Sequence, residues 1–216
     1  MIKGFIFDLD GVLVDTVDYH FASWKLLAKQ LNFNLNNDII EQLKGISRMD
    51  SLKIVLKQGD IKASKKQMIK YAAQKNEWYL SSLKKINDNV VLNGVLPFIK
   101  KCQQEGIKLT VGSSSKNAKS IIAQTSLKDS FIKIIDGNDV INAKPDPEVF
   151  LKAVKAMNLK PYECIVFEDS LKGLMAAKSA GFRRLAIGDA HILHEAEFAI
   201  KDLTNIYPKQ IIKLFK

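Results

Sequence analysis

Four groups of residues in this chain could do chemistry. Asp8 and Asp10 stand two apart where an apolar run, residues 2–7, meets Gly11. In a strand that spacing puts both carboxylates on one side of the chain. Two acids so close repel unless a cation or a proton intervenes; the bland alternative is an acidic turn. Ser113-Ser114-Ser115-Lys116-Asn117 follows a second apolar run. Hydroxyls and amides at a strand-to-helix junction make an anion site, or simply a serine N-cap. Lys144 precedes Pro145-Asp146-Pro147. Prolines that start a helix stiffen its approach and would hold this cation beside a phosphate, unless it is only a solvated lysine. Glu168-Asp169-Ser170 ends a further apolar run. Paired acids there suit Mg²⁺, which takes carboxylates, water and substrate phosphate, or serve as a helix cap.

The elements that would position these groups alternate. Apolar runs at 2–7, 107–111, 131–135, 164–167 and 184–187 read as buried strands. Helical patterns lie between them at 95–105, 117–125, 147–157 and 171–180. Strand, helix, strand, helix predicts an α/β fold with a doubly wound parallel sheet, Rossmann-like in its core. Residues 16–91 break the rhythm. They contain no convincing strand, and 16–31, 36–43, 51–57 and 64–85 read as helices, with Ser64 and Gln67 spaced as a capping box. Residues 1–15 with 92–216 are therefore expected to form the α/β core, and 16–91 an inserted all-helical cap. The insert leaves just past the carboxyl end of the first strand, where open α/β sheets bind ligands, so it is placed to be a lid. The four chemical groups all fall at strand ends on that same edge.

Length and composition narrow the class. With 216 residues, 47% apolar and 26% charged, the chain is a soluble globular protein of one or two domains. Its net charge of +10 raises nucleic acid as a partner. Only Arg48, Arg183 and Arg184 are arginines, however, and the lysines are scattered. Bidentate reading of bases and phosphates favours arginine, so no nucleic-acid partner is expected. Cys102 and Cys164 lack metal-type spacing and read as reduced, semi-buried thiols. No cationic leader precedes Asp8, and no apolar stretch reaches the roughly 18 residues of a membrane helix. A cytoplasmic monomer without a membrane partner is expected.

Phe7-Asp8-Leu9-Asp10-Gly11-Val12, Ser113, Lys144-Pro145 and Glu168-Asp169-Ser170 resemble the four motifs of the haloacid dehalogenase-like phosphotransferases, along the whole chain. Residues 15–24, 42–48 and 112–117 resemble, more narrowly, the β-phosphoglucomutases of that family. The resemblance implies roles. Asp8 would be the nucleophile that carries phosphate, and Asp10 the general acid/base. Asp8, the Asp10 carbonyl, Glu168 and Asp169 would hold Mg²⁺. Ser113 and Lys144 would hold the transferring phosphoryl group. Arg48, Ser115, Lys116 and Asn117 would grip the second phosphate. Thr16, His20, Lys75 and the Lys44-Gly45 turn would belong to hinge and lid, with Thr16 and His20 in the catalytic set and Lys44, Gly45, Ser47 and Lys75 toward the substrate and its phosphate.

The implied reaction interconverts β-D-glucose 1-phosphate and glucose 6-phosphate, with β-D-glucose 1,6-bisphosphate as intermediate and activator. The alternative is a lid-bearing sugar-phosphate phosphatase. Thr16 and His20, four apart, share a helix face where the lid joins the core, although a histidine there could equally be a capped core residue. Asp10 can return a proton only if the closed site raises its pKa. Lys44 and Lys75 are considered as Schiff-base lysines, but neither sits in a sequence context that signals a lowered pKa. Met49, where relatives often carry an acid, and Ser114, larger than the alanine of relatives, depart from the pattern.

Overall fold

The first apolar run forms β1 (Gly4–Phe7), followed along the chain by β2 (Lys108–Gly112), β3 (Lys133–Ile135), β4 (Cys164–Glu168), β5 (Arg183–Ile187) and β6 (Phe198–Ile200). In the computed structural model, which describes residues 1–84 and 86–216, these strands make one parallel sheet in the order β3-β2-β1-β4-β5-β6. β1 is central and buried on both faces, which explains its unbroken apolar run. Side chains alternate across it. Phe5 and Phe7 pack with Phe98 and Phe167 on one face, while Ile6 meets Phe150, Val166 and Phe182 on the other. The Phe7 and Phe167 rings stack at 4.6 Å. Each such buried aromatic contributes roughly 1.5–3 kcal/mol.

Register explains the site. Phe7 lies level with Val111 on one side and Phe167 on the other. The residues that follow, Asp8, Gly112-Ser113 and Glu168, therefore leave the sheet at one height. The Asp8 amide still donates to the Phe167 carbonyl at 2.9 Å, which extends the ladder one residue into the chemistry.

Four helices separate β1 from the rest: α1 (Val17–Gln30), α2 (Ile40–Leu43), α3 (Arg48–Gln58) and α4 (Lys65–Ser82). They bury a cluster of their own around Trp24, Leu27, Leu52 and Val55. The Ser64–Gln67 capping box forms as the spacing predicts. The helix predicted as far as 85 ends at Ser82, and Lys85 lies outside the described residues. α3 starts at Arg48, three residues before the predicted start, because Ser47 caps it by accepting from the Asp50 amide. The two connections pair with each other: the Asp15 amide donates to Val90 and the Leu92 amide to Leu13.

The remaining helices, α5 (Val95–Gln104), α6 (Ala118–Ile122), α7 (Glu148–Ala156), α8 (Leu171–Ser179) and α9 (Pro208–Leu214), complete the chain. β6 and α9 went unpredicted. Both cysteines are free and wholly buried rather than semi-buried; burial raises both thiols, that of Cys164 to about 12.

Candidate active site

Asp8, Lys144, Glu168 and Asp169 meet at the carboxyl edge of β1 and β4, all buried. Lys144 Nζ donates to Asp8 Oδ1 at 2.5 Å and to Glu168 Oε2 at 2.9 Å. Burial opposes its charge, yet the two carboxylates more than offset that and raise its pKa. Burial, then the neighbouring Asp8, pushes the Glu168 carboxyl up to about 7. Burial, then Glu168 and Asp8, likewise holds Asp169 well above the usual carboxylate range. Three buried acids thus share Lys144, with Lys44 3.8 Å from Asp169 at the edge.

Their oxygens lie within 4.8 Å of one another. An all-oxygen donor set, short of positive charge and at that spacing, fits a small hard cation such as Mg²⁺. Ser170 supports the corner from behind: its hydroxyl donates to Glu168 Oε1 at 2.6 Å and accepts from the Gly173 amide. The helix-cap reading of this serine therefore holds, and its acidic neighbours remain free to face the cluster.

Asp10 is wired to the insert. Thr16 stands at the N-cap of α1 but makes no cap bond. Its hydroxyl donates to Asp10 Oδ1 instead. One turn on, His20 Nε2 lies 3.8 Å from the same oxygen. Burial, then Asp8, raises Asp10 to about 6, although the Thr16 hydrogen bond pulls the other way.

The Lys75 reading needs correction. Lys75 is 1% exposed, with Nζ 2.8 Å from His20 Nδ1 and above the rings of Trp24 (4.8 Å) and Tyr79 (4.7 Å). Burial, then Arg48, lowers it to about 7. The sequence could not reveal this, because the partners lie on two helices. His20 is held neutral by burial, then by Lys75 and Arg48. With Lys75 donating to Nδ1, the His20 proton belongs on Nε2, facing Asp10. Tyr79, which no motif signalled, stacks on His20 at 3.9 Å.

A cleft of about 420 Å³ opens above Asp10 and His20. Lys44, Gly45, Ser47, Arg48 and Lys75 line it from the insert, Ser115 and Lys116 from the β2–α6 loop. Ser113 lies buried beneath, its hydroxyl accepting from the Ser115 amide at 3.0 Å. Asn117 is not among the lining residues: its carboxamide donates to Asn76 Oδ1 at 3.0 Å. Lys44 Nζ reaches Glu41 at 2.9 Å and Asp169 at 3.8 Å.

Residues 5–187 match the haloacid dehalogenase-like hydrolase family. The chain belongs to that family. Within it, the chain is 33% identical over 207 residues to a β-phosphoglucomutase of Bacillus subtilis, covering 95% of this chain and 92% of that one. It is 29% identical to a phosphorylated carbohydrates phosphatase of Thermotoga maritima, covering 100% and 99%. Among solved structures, a β-phosphoglucomutase from Clostridium difficile superposes with a TM-score of 0.94 at 34% identity, covering 100% of this chain and 97% of that one. The fold read from the sequence, a parallel doubly wound core of the haloacid dehalogenase type, is therefore the one observed. Among the described residues no helix is long and apolar enough to cross a membrane.

Proposed function

We propose that this family member is a β-phosphoglucomutase acting on β-D-glucose 1-phosphate and glucose 6-phosphate through β-D-glucose 1,6-bisphosphate. Residues 1–15 and 92–216 would be its catalytic core and 16–91 its cap. The observation that carries the reading is the attachment of Asp10 to the cap through Thr16 and His20. The group that handles the sugar proton is then complete only while the cap is engaged.

Asp8 attacks one phosphorus of the bisphosphate, and the bond to the sugar oxygen breaks. Asp10, in its protonated form, whose share the raised pKa enlarges, gives that oxygen its proton. In the reverse half the sugar hydroxyl attacks the Asp8 phosphate, its proton passes to Asp10, and the Asp8 carboxylate is restored. Lys144 and Ser113 neutralise and seat the transferring group, since phosphoryl transfer depends chiefly on positioning and charge. Asp8, the Asp10 carbonyl, Glu168 and Asp169 are the residues to hold Mg²⁺, which when bound would offset phosphate charge. Arg48 from the cap, with Ser115 and Lys116 from the core, would grip the remote phosphate. Asn117, assigned there by resemblance, would serve through its contact with Asn76.

Water at about 55 M outnumbers a sugar phosphate at on the order of 0.1 mM by about five to six powers of ten, roughly 8 kcal/mol at 1.4 per decade. Orientation can supply that difference if closure excludes water. The phosphatase alternative draws support from the similarity to the Thermotoga maritima phosphatase. A dehydrogenase-linked assay of glucose 6-phosphate formation, comparing β- and α-glucose 1-phosphate, decides between them. Isomerisation of the β anomer in excess of phosphate release is expected. Phosphate release outrunning isomerisation for every sugar would leave the phosphatase.

A further inference from the structure

Beside the hinge, Asp88 accepts from the amide and hydroxyl of Ser126; away from it, two hydrogen bonds join the insert to the core among the described residues. The Ser114 hydroxyl donates to the Gly45 carbonyl at 2.9 Å, and the Asn117 carboxamide to Asn76 at 3.0 Å. Both donors stand on the loop between β2 and α6, and that loop is held by several hydrogen bonds. The Ser113 amide donates to Ile135, the Ser115 amide to Ser113 Oγ, the Gly137 amide to Ser115, and the Asn138 carboxamide to Lys116. Gly137 also lies so near the Ser114 carbonyl that a Cβ there would collide with it. The backbone at 114 is therefore closely packed against its neighbours. Its hydroxyl has one partner, and that partner is on the cap.

The acceptor is equally constrained. Gly45 has φ +69°, open to glycine, and a Cβ would strike the Ser170 hydroxyl. The Lys44–Gly45 turn thus rests on the residue that braces Glu168, directly over the acidic corner. The half-buried Ser114 hydroxyl supplies the hydrogen bond by which this turn meets the core, beside the longer ion pair of Lys44 with Asp169 at 3.8 Å.

We propose that Ser114 is a positioning residue: its hydroxyl latches the Lys44–Gly45 turn onto the core and so sets how often the cleft admits water. A single neutral hydrogen bond suits that task. It biases closure by about fivefold, the equivalent of about 1 kcal/mol, and still lets the cap open. This deepens the mutase reading and rests on it in one respect, since a bisphosphate that must turn around needs a latch that releases.

The test uses full-length protein with Lys66→Cys on the cap and Lys128→Cys on the core, both exposed positions, labelled for fluorescence energy transfer. The native cysteines are wholly buried and do not compete. Ser114→Ala is expected to raise the open population about fivefold without substrate, while Ser114→Thr, which keeps the hydroxyl, stays close to wild type. In Ser114→Ala the share of phosphoenzyme lost to water should rise by a similar factor, with phosphoenzyme formation unchanged. An unchanged open population in Ser114→Ala, or Ser114→Thr behaving like Ser114→Ala, overturns the latch. The fluorescence arm needs no substrate. A wild type that only hydrolyses would therefore sink the mutase reading while the latch is still decided.

Discussion

The acidic corner and the cap side of the cleft are built on opposite plans. Asp8 and Glu168 extend two neighbouring strands whose register is fixed by the central ladder, and Lys144 bridges them. Nothing there needs to move. Thr16, His20 and Lys75 belong instead to two helices of the insert, and two hydrogen bonds far from the hinge join that insert to the core. The rigid half suits covalent phosphate chemistry, which needs fixed charge. On the proposed reading, the cap-side half would handle the proton and the choice between water and sugar. Damage to the first should abolish chemistry, whereas damage to the second should misdirect it.

The largest effect expected is from Asp8→Asn, a fall in turnover on the order of 10⁴-fold or more in a protein of unchanged circular dichroism. Next is Lys144→Met. It strands buried carboxylates and should cost about 3–5 kcal/mol by urea unfolding in chelator; Mg²⁺ should recover part of the deficit. Because Glu168 and Asp169 have raised pKa values, Mg²⁺ must displace protons from them. Its affinity should rise from pH 5 to 8, with proton release seen by calorimetry in buffers of different ionisation heat.

Cap-side changes should be milder and different in kind. Thr16→Val is expected to slow isomerisation about 10²-fold while the phosphoenzyme still forms, with more of it lost to water. Equal losses in both steps would erase the contrast between the two halves. Smaller still is a stability effect of Lys75. Its folded pKa of about 7 lies below its unfolded value near 10.4, so above about pH 7 the unfolded chain holds the extra proton. Its contribution to stability therefore rises with pH through that window, by about 2 kcal/mol between pH 7 and 8.5. Urea midpoints of wild type should climb relative to Lys75→Met over that range.

What the sequence disclosed and what it hid follow one physical line. The strands of the sheet centre were legible because burial on both faces writes an unbroken apolar run. β6 was not, since it is a three-residue edge strand whose Phe198 is 39% exposed. α9 is seven residues long and buries only Pro208 and Ile211. The Ser64–Gln67 cap was readable because it is local, and the acid and serine motifs because each stands at a strand end; Lys144, nine residues past β3, was readable from the prolines that follow it. Lys75 looked like any other lysine of α4. Its burial comes from Trp24 on α1 and Tyr79 a turn away, and no spacing records that. Ser114 meets Gly45 across 69 positions and was equally hidden.

The carboxylate of Asp8 is the atom on which everything else converges. Protein incubated with β-glucose 1,6-bisphosphate and Mg²⁺, quenched in acid and digested, should show a phosphate-sized mass gain on Asp8 that hydroxylamine removes. An unmodified Asp8 under turnover conditions, or phosphate on another residue, would contradict it.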